Sequence, residues 1–232
     1  MATLNSDSPS SSSVRFSHTP YYCEENVYFL CKKLVDDGIA KSDGSDLYVV
    51  FISNEKKQAS KLWENSEIPL WHQKASHRAD GVILWDYHVI SVQKRKESNL
   101  PHLVWDLDSS LPFPSPLPTY VAETIRPSFK LFSEFQRVFR IVHVPIFLRS
   151  FASDRRHMKD SVGNWLNPPP SYEAIVAEDG TTHNLNEYME MSSSDVVKSI
   201  GADTIETVLT QKLGVLVSDS QIDDFFSQIP DN

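Results

Sequence analysis

Residues 81–108 read GVILWDYHVISVQKRKESNLPHLVWDLD, and the alternation within this stretch decides the fold. Val82, Leu84, Asp86, His88, Ile90 and Val92 occupy every second position, the period that places them on one face of a strand. Leu103 to Asp108 alternates in the same way, with Val104, Asp106 and Asp108 on one side. Between the two runs, Gln93 to Pro101 is polar and reads as a hairpin loop. A turn centred near Glu97 sets His88 opposite Asp106, and cross-strand neighbours stand roughly 4.5–5.5 Å apart at Cβ, within reach of a side-chain hydrogen bond. A register two residues away substitutes Asp108.

Working outward, Thr19-Pro20 reads as a helix start, with Thr19 as cap and Pro20 at the first helical position. Glu24 and Glu25 follow in the first turn, where carboxylates suit the positive end of the helix dipole. Val27, Leu30, Cys31, Leu34 and Val35 keep helical spacing up to the terminator Gly38, and Cys23 lies on the same stripe, pointing inward. Leu47 to Ile52 is a short strand. Leu111 to Pro118 holds four prolines and reads as extended loop. Phe129 to Val138 reads as an amphipathic helix, Arg140 to Phe147 as a strand and Gly163 to Pro170 as an ordered loop. Asn186 to Met191 and Gln221 to Phe226 read as short helices. Short strands among separated helices predict an α+β domain with a central antiparallel sheet. The expected division is a flexible Ser-rich tail over 1–18 and a single domain over 19–232.

The bulk properties narrow the function. With 232 residues, 40% apolar and 11% aromatic, the chain can bury a sizeable core. A net charge of -9 argues against nucleic acid as a partner, and the short basic run Lys94-Arg95-Lys96 reads as a solvated turn. Two cysteines eight residues apart on one helix stand about 12 Å apart, too far for a disulfide. They are expected as free thiols of a reducing compartment, which points to the cytosol, with the nucleus also open. No apolar run suits a membrane span, no HExxH or CxxC pattern suggests a metal, and no Gly-rich loop suggests a nucleotide. Metal and cofactor are therefore both expected to be none.

The chemistry left is that of a thiol. A helix N-terminus and a nearby imidazole lower a thiol's pKa. Cys23 has the first by position, and has the second if the helix packs on the sheet face carrying His88. His88 would then move the proton and Asp106 would hold its ring. Cys, His and Asp in that order, on a helix and two adjacent strands, is the arrangement of papain-like and transglutaminase-like thiol enzymes. Cys31, deeper in the apolar stripe, reads as a packing residue.

Tyr22-Cys23-Glu24-Glu25-Asn26 and Trp85-Asp86-Tyr87-His88-Val89 resemble the motifs of the WDYHV-motif family, protein N-terminal glutamine amidohydrolases. The resemblance continues through Ile68-Pro69-Leu70-Trp71, Trp105-Asp106-Leu107-Asp108 and Leu111-Pro112-Phe113-Pro114. It runs on through His157-Met158-Lys159-Asp160, Gly163-Asn164-Trp165, Pro168-Pro169-Pro170 and Asn184-Leu185-Asn186, and thins after about Ser192. It implies Cys23, His88 and Asp106 as the catalytic triad in an α/β thiol-protease-like fold. The implied reaction converts an N-terminal Gln to Glu with release of ammonia, without cofactor, feeding a protein-degradation pathway of N-terminal signals. The expected partners are proteins or peptides beginning with Gln, met by a monomer without membrane attachment. The substrate's ammonium needs an acceptor, for which Glu24 and Asp86 are candidates by proximity to the triad. A transglutaminase, a cysteine peptidase or a non-catalytic binder of N-terminal Gln would share part of this pattern.

Overall fold

A computed structural model describes residues 16–55, 67–97, 100–132 and 135–230. Its centre is a six-stranded, wholly antiparallel sheet in the order β6-β5-β4-β1-β7-β8. These strands are β1 (Leu47–Ser53), β4 (His88–Gln93), β5 (Leu103–Trp105), β6 (Ser115–Pro116), β7 (Val138–His143) and β8 (Val215–Ser218). A separate two-stranded ribbon pairs β2 (Ile68–Leu70) with β3 (Ile83–Trp85). Every residue of β1, β4 and β7 is buried, because helices cover both faces. On one face Val49, Phe51 and Val89 pack with α1 (Cys23–Asp36), α3 (Val144–Ser150) and α4 (Leu185–Met189). On the other, Val50, Ile90 and Phe139 pack with α2 (Leu117–Tyr120), α5 (Ala202–Thr210) and α6 (Ile222–Gln228). The expected α+β class and central antiparallel sheet are what is found.

Helix α1 starts later than expected. Tyr21 has φ of 72°, which breaks any helix running from Pro20, and Tyr22 is the N-cap, so Cys23 is the first helical residue. Thr19 contributes its backbone instead of a capping side chain. Its N–H donates to Asn26 Oδ1 and its carbonyl accepts from Asn26 Nδ2, both at 2.8 Å. Gly38 does end the helix: at φ 69° it donates to the Val35 carbonyl while Ile39 donates to that of Leu34, the Schellman pattern.

Other expectations change where tertiary pairing competes with local pattern. The single strand expected over Gly81–Val92 is two, because Asp86 Oδ1 accepts its neighbour's N–H from Tyr87 at 3.0 Å and bends the chain there. No α-helix forms over the described part of 129–138, where Phe135 sits in a 3-10 turn. Phe129 and Phe132 are 55% and 77% exposed, and Val138 joins β7 between Ser53 and Ser218. The strand expected over Arg140–Phe147 ends at His143, where α3 begins. The proline-rich loop contains β6, which pairs with β5, and its last two residues open α2. Of the tail expected over 1–18, positions 1–15 lie outside the described residues, and the Phe16 ring lies edge-on to Trp105 and Phe113. Among the described residues no helix is long and apolar enough to cross a membrane.

Candidate active site

The hairpin of β4 and β5 brings His88 and Asp106 together, though not through the expected register. Ser91 pairs with Trp105 and Gln93 with Leu103, which extrapolates to His88 opposite Asp108. The ladder stops at Trp105, and Asp106 reaches His88 diagonally, a geometry long side chains can span. His88 Nε2 and Asp106 Oδ1 are 2.9 Å apart, and both side chains are fully enclosed. Three further contacts fix the pair. Tyr120 donates its hydroxyl to Asp106 Oδ2 at 2.7 Å, and the Asp108 backbone N–H donates to Asp106 Oδ1 at 2.9 Å. Trp85 stacks on the His88 ring, centroids 4.8 Å apart. His88 Nδ1 is buried with no hydrogen-bond partner among the described residues.

Cys23 belongs to the helix that packs on the other face of the sheet. Helix α1 packs on Val89 and on Ser91, whose hydroxyl is 3.5 Å from Cys31 Sγ, whereas the alternation of β4 turns His88 with Ile90 to the opposite side. The expectation that α1 lies on the face carrying His88 therefore does not hold along the helix. At its first residue the Val89 backbone N–H, on the peptide after His88, lies against the Cys23 sulfur. Both thiols are free and buried, as expected. A cleft of about 520 Å³ opens over Cys23, with Trp85, Asp86, Asp108, His157 and Leu166 in its walls.

Charge in the site is set by burial and by acids. The Cys23 thiol is held well above the ordinary thiol range, by burial first and then by the charges of Glu24, Asp108 and Asp86. The lowered pKa expected of a helix N-terminus is outweighed in this resting site. Burial opposes charging of His88, but the charge and hydrogen bond of Asp106 outweigh it and raise the imidazole's pKa. Asp106 is pulled the other way: burial would raise it, and His88, Tyr120 and the Asp108 N–H together hold it low. Burial pushes Glu24 up to about 7.

Of the two candidates for the substrate's ammonium, Asp86 lines the cleft and Glu24 does not. Glu24 is buried beneath it, accepting the Tyr87 hydroxyl at 2.8 Å and the Cys23 thiol at 3.7 Å. Glu25, the next residue, takes a two-pronged bond from Arg155 at 2.7 and 2.8 Å, which ties the segment carrying His157 to the start of α1. Tyr120 and Arg155 escaped the sequence reading, since nothing in the chain links them to the triad, and Trp85 entered it only as part of the motif around His88, without its stacking role. His88, Asp106 and Asp108 also offer three atoms within 4.8 Å of one another, close enough to share an ion. The nearest two of these already share the hydrogen bond that an imidazole–carboxylate pair needs.

The comparison with known proteins agrees with these motifs. Residues 18–226 match the N-terminal glutamine amidase family. A protein N-terminal glutamine amidohydrolase of Arabidopsis thaliana is 58% identical over 230 residues, covering 99% of this chain and all of that protein. That of Oryza sativa subsp. indica is 54% identical, covering 93% of this chain and 89% of its own. That of Homo sapiens is 39% identical over 73% of this chain and 76% of its own. A match that spans the cysteine helix, the hairpin and the cleft places the chain in a family: it belongs to the N-terminal glutamine amidases.

Proposed function

We propose that this chain hydrolyses the side-chain amide of an N-terminal glutamine to give N-terminal glutamate and ammonia, through a thioester on Cys23. The observation that carries the mechanism is the position of Cys23. It is the first residue of α1 and opens into the cleft, the Val89 N–H beside its sulfur is on the peptide after His88, and His88, held by Asp106, keeps an Nδ1 with no hydrogen bond among the described residues. The fold this supports is the papain-like and transglutaminase-like one, in which a cysteine-bearing helix meets a His-bearing strand.

The chemistry follows from the charges. At rest Cys23 is a neutral thiol, because a thiolate there would be buried among acids. As Sγ attacks the amide carbon, His88 Nδ1 takes its proton, and Asp106 stabilises the imidazolium through Nε2. The carbonyl oxygen becomes an oxyanion. The backbone N–H of Cys23, among the helix-start donors that lack an intrahelical partner, is our candidate to bind it. Collapse of this intermediate breaks the C–N bond, and His88 returns the proton so that nitrogen leaves as ammonia. Water then attacks the thioester with His88 as base, releasing glutamate and the free thiol. Every proton is accounted for without a metal or cofactor. Asp86 faces the cleft and receives the substrate's ammonium. Glu24, below Cys23, sets the thiol's surroundings. The enzyme acts as a monomer in cytosol or nucleus, and its product supplies the degradation pathway that reads N-terminal residues.

The test separates the two thiols. Cys23→Ala, folded by circular dichroism, should release no ammonia from a Gln-peptide, whereas Cys31→Ala should keep most activity. Equal loss in both folded variants would remove Cys23 from the role.

A further inference from the structure

Residues 16–18 form an arm that touches both halves of the site. At one end Phe16 packs edge-on against Trp105, the residue before Asp106, with ring centroids 6.0 Å apart. Beyond the other end Thr19 is clipped to Asn26 of α1 by two hydrogen bonds. Between them His18 Nε2 lies 2.8 Å from Asp108 Oδ1. The arm thus spans from the cysteine helix to the hairpin of His88 and Asp106, and its polar side-chain contact among the described residues is with a carboxylate in the cleft wall.

Asp108 is built into this place from both sides. Its backbone N–H is held by Asp106 Oδ1, which anchors the turn, and its side chain, 18% exposed, faces the cleft that holds Cys23. Its charge is felt at Cys23 and at His88, so it stands close to both reacting groups. His18 occupies Oδ1 and leaves Oδ2 without a hydrogen bond among the described residues. A glutamine whose side-chain carbon is on Cys23 carries its ammonium on the order of 5 Å away. That ammonium has three N–H donors, and buried donors need acceptors. Asp86 and Asp108 are the carboxylates among the described residues of the wall, and two carboxylates meet three donors more fully than one.

On the proposed reading of the reaction, we propose that Asp108 accepts the substrate's α-ammonium on Oδ2. His18, by holding Oδ1, is the positioning residue that makes the arm part of the device selecting free N-termini. Peptides blocked at the amine are refused because this carboxylate is then buried against an uncharged group, as well as for want of space.

The full-length chain is assayed for ammonia release from a Gln-peptide and from its des-amino counterpart, in which a 4-carbamoylbutanoyl group keeps the primary amide and lacks the amine. The wild type should favour the Gln-peptide in kcat/KM by roughly 10- to 100-fold, the value of a hydrogen-bonded charge pair. Asp108→Asn and His18→Ala should lose most of that preference, chiefly through KM for the Gln-peptide. The readout for both is the ratio of the two substrates, which a shared change in the reactivity of Cys23 or His88 leaves unmoved, and His18→Gln, which keeps an N–H donor, should restore the wild-type ratio. Folded variants that discriminate like the wild type, or that lose both substrates equally, would overturn the inference while leaving the reaction intact. If the wild type released no ammonia from either substrate, the proposed function would fail and this inference with it.

Discussion

Replacing Glu24 by glutamine should stabilise the protein at pH 8 and change it little at pH 5. Glu24 is 1% exposed, and burial moves the titration of its carboxyl from 4.5 to about 7. At about 1.4 kcal/mol per pH unit, that displacement corresponds to about 3 kcal/mol. Its sign follows from proton counting. Between pH 4.5 and 7 the folded chain keeps the Glu24 proton that the unfolded chain has lost, so stability falls as pH rises through this window. The substituted side chain does not titrate and still accepts the Tyr87 hydroxyl through its amide oxygen. The variant should therefore gain about 3 kcal/mol at pH 8, roughly 6–12 °C in Tm for a chain of this length, and under about 1 kcal/mol at pH 5. Thermal unfolding of both proteins at the two pH values measures this. Removing the second-largest cause of the raised Cys23 thiol should also speed its alkylation by iodoacetamide at pH 8. A variant less stable than wild type at pH 8, or shifted equally at both pH values, would refute the reasoning and make Glu24 a carboxylate that the fold needs charged.

Asp106→Asn should lower kcat by orders of magnitude (~10⁴), because the amide no longer stabilises imidazolium or fixes the tautomer. Tyr120→Phe removes one of three bonds to Asp106 and should cost only about 10-fold, both read from steady-state ammonia release. Dialysis against a chelator should leave the rate unchanged. Loss of activity restored by a divalent ion would instead make His88, Asp106 and Asp108 a metal site.

How much could be read in advance depended on the range of the interaction. The apolar stripe of α1 and the strands around Ile52, His88 and Val104 carry their own periodicity, so the helix and the central sheet were visible in the residues. The His88–Asp106 contact was also visible, but for a partly mistaken reason: the register is shifted by two, and a turn after Trp105 restores the meeting diagonally. Turns and tertiary pairing hid the rest. The left-handed Tyr21 delays α1, Asp86 splits a long alternation, and β7 draws Val138 out of a helical pattern. The Cys23 titration departs from the expectation because the helix start shows in sequence, whereas the depth of its burial and the approach of Asp108 and Asp86 from other segments do not. The chain also hides that His18 and Asp108, ninety residues apart, share a hydrogen bond.

The most direct test of the account is ammonia release from three peptides that differ only at their first residue: free Gln, N-acetyl-Gln and Asn. A site that places Cys23 at the carbon of a Gln side chain should turn over the first and refuse the acetylated form. It should act on Asn at least ~10² more slowly, because one methylene less draws the carbonyl carbon back by over an ångström, on the scale at which misplacement costs that much. Comparable rates on all three peptides would contradict the claim and describe a general thiol amidase.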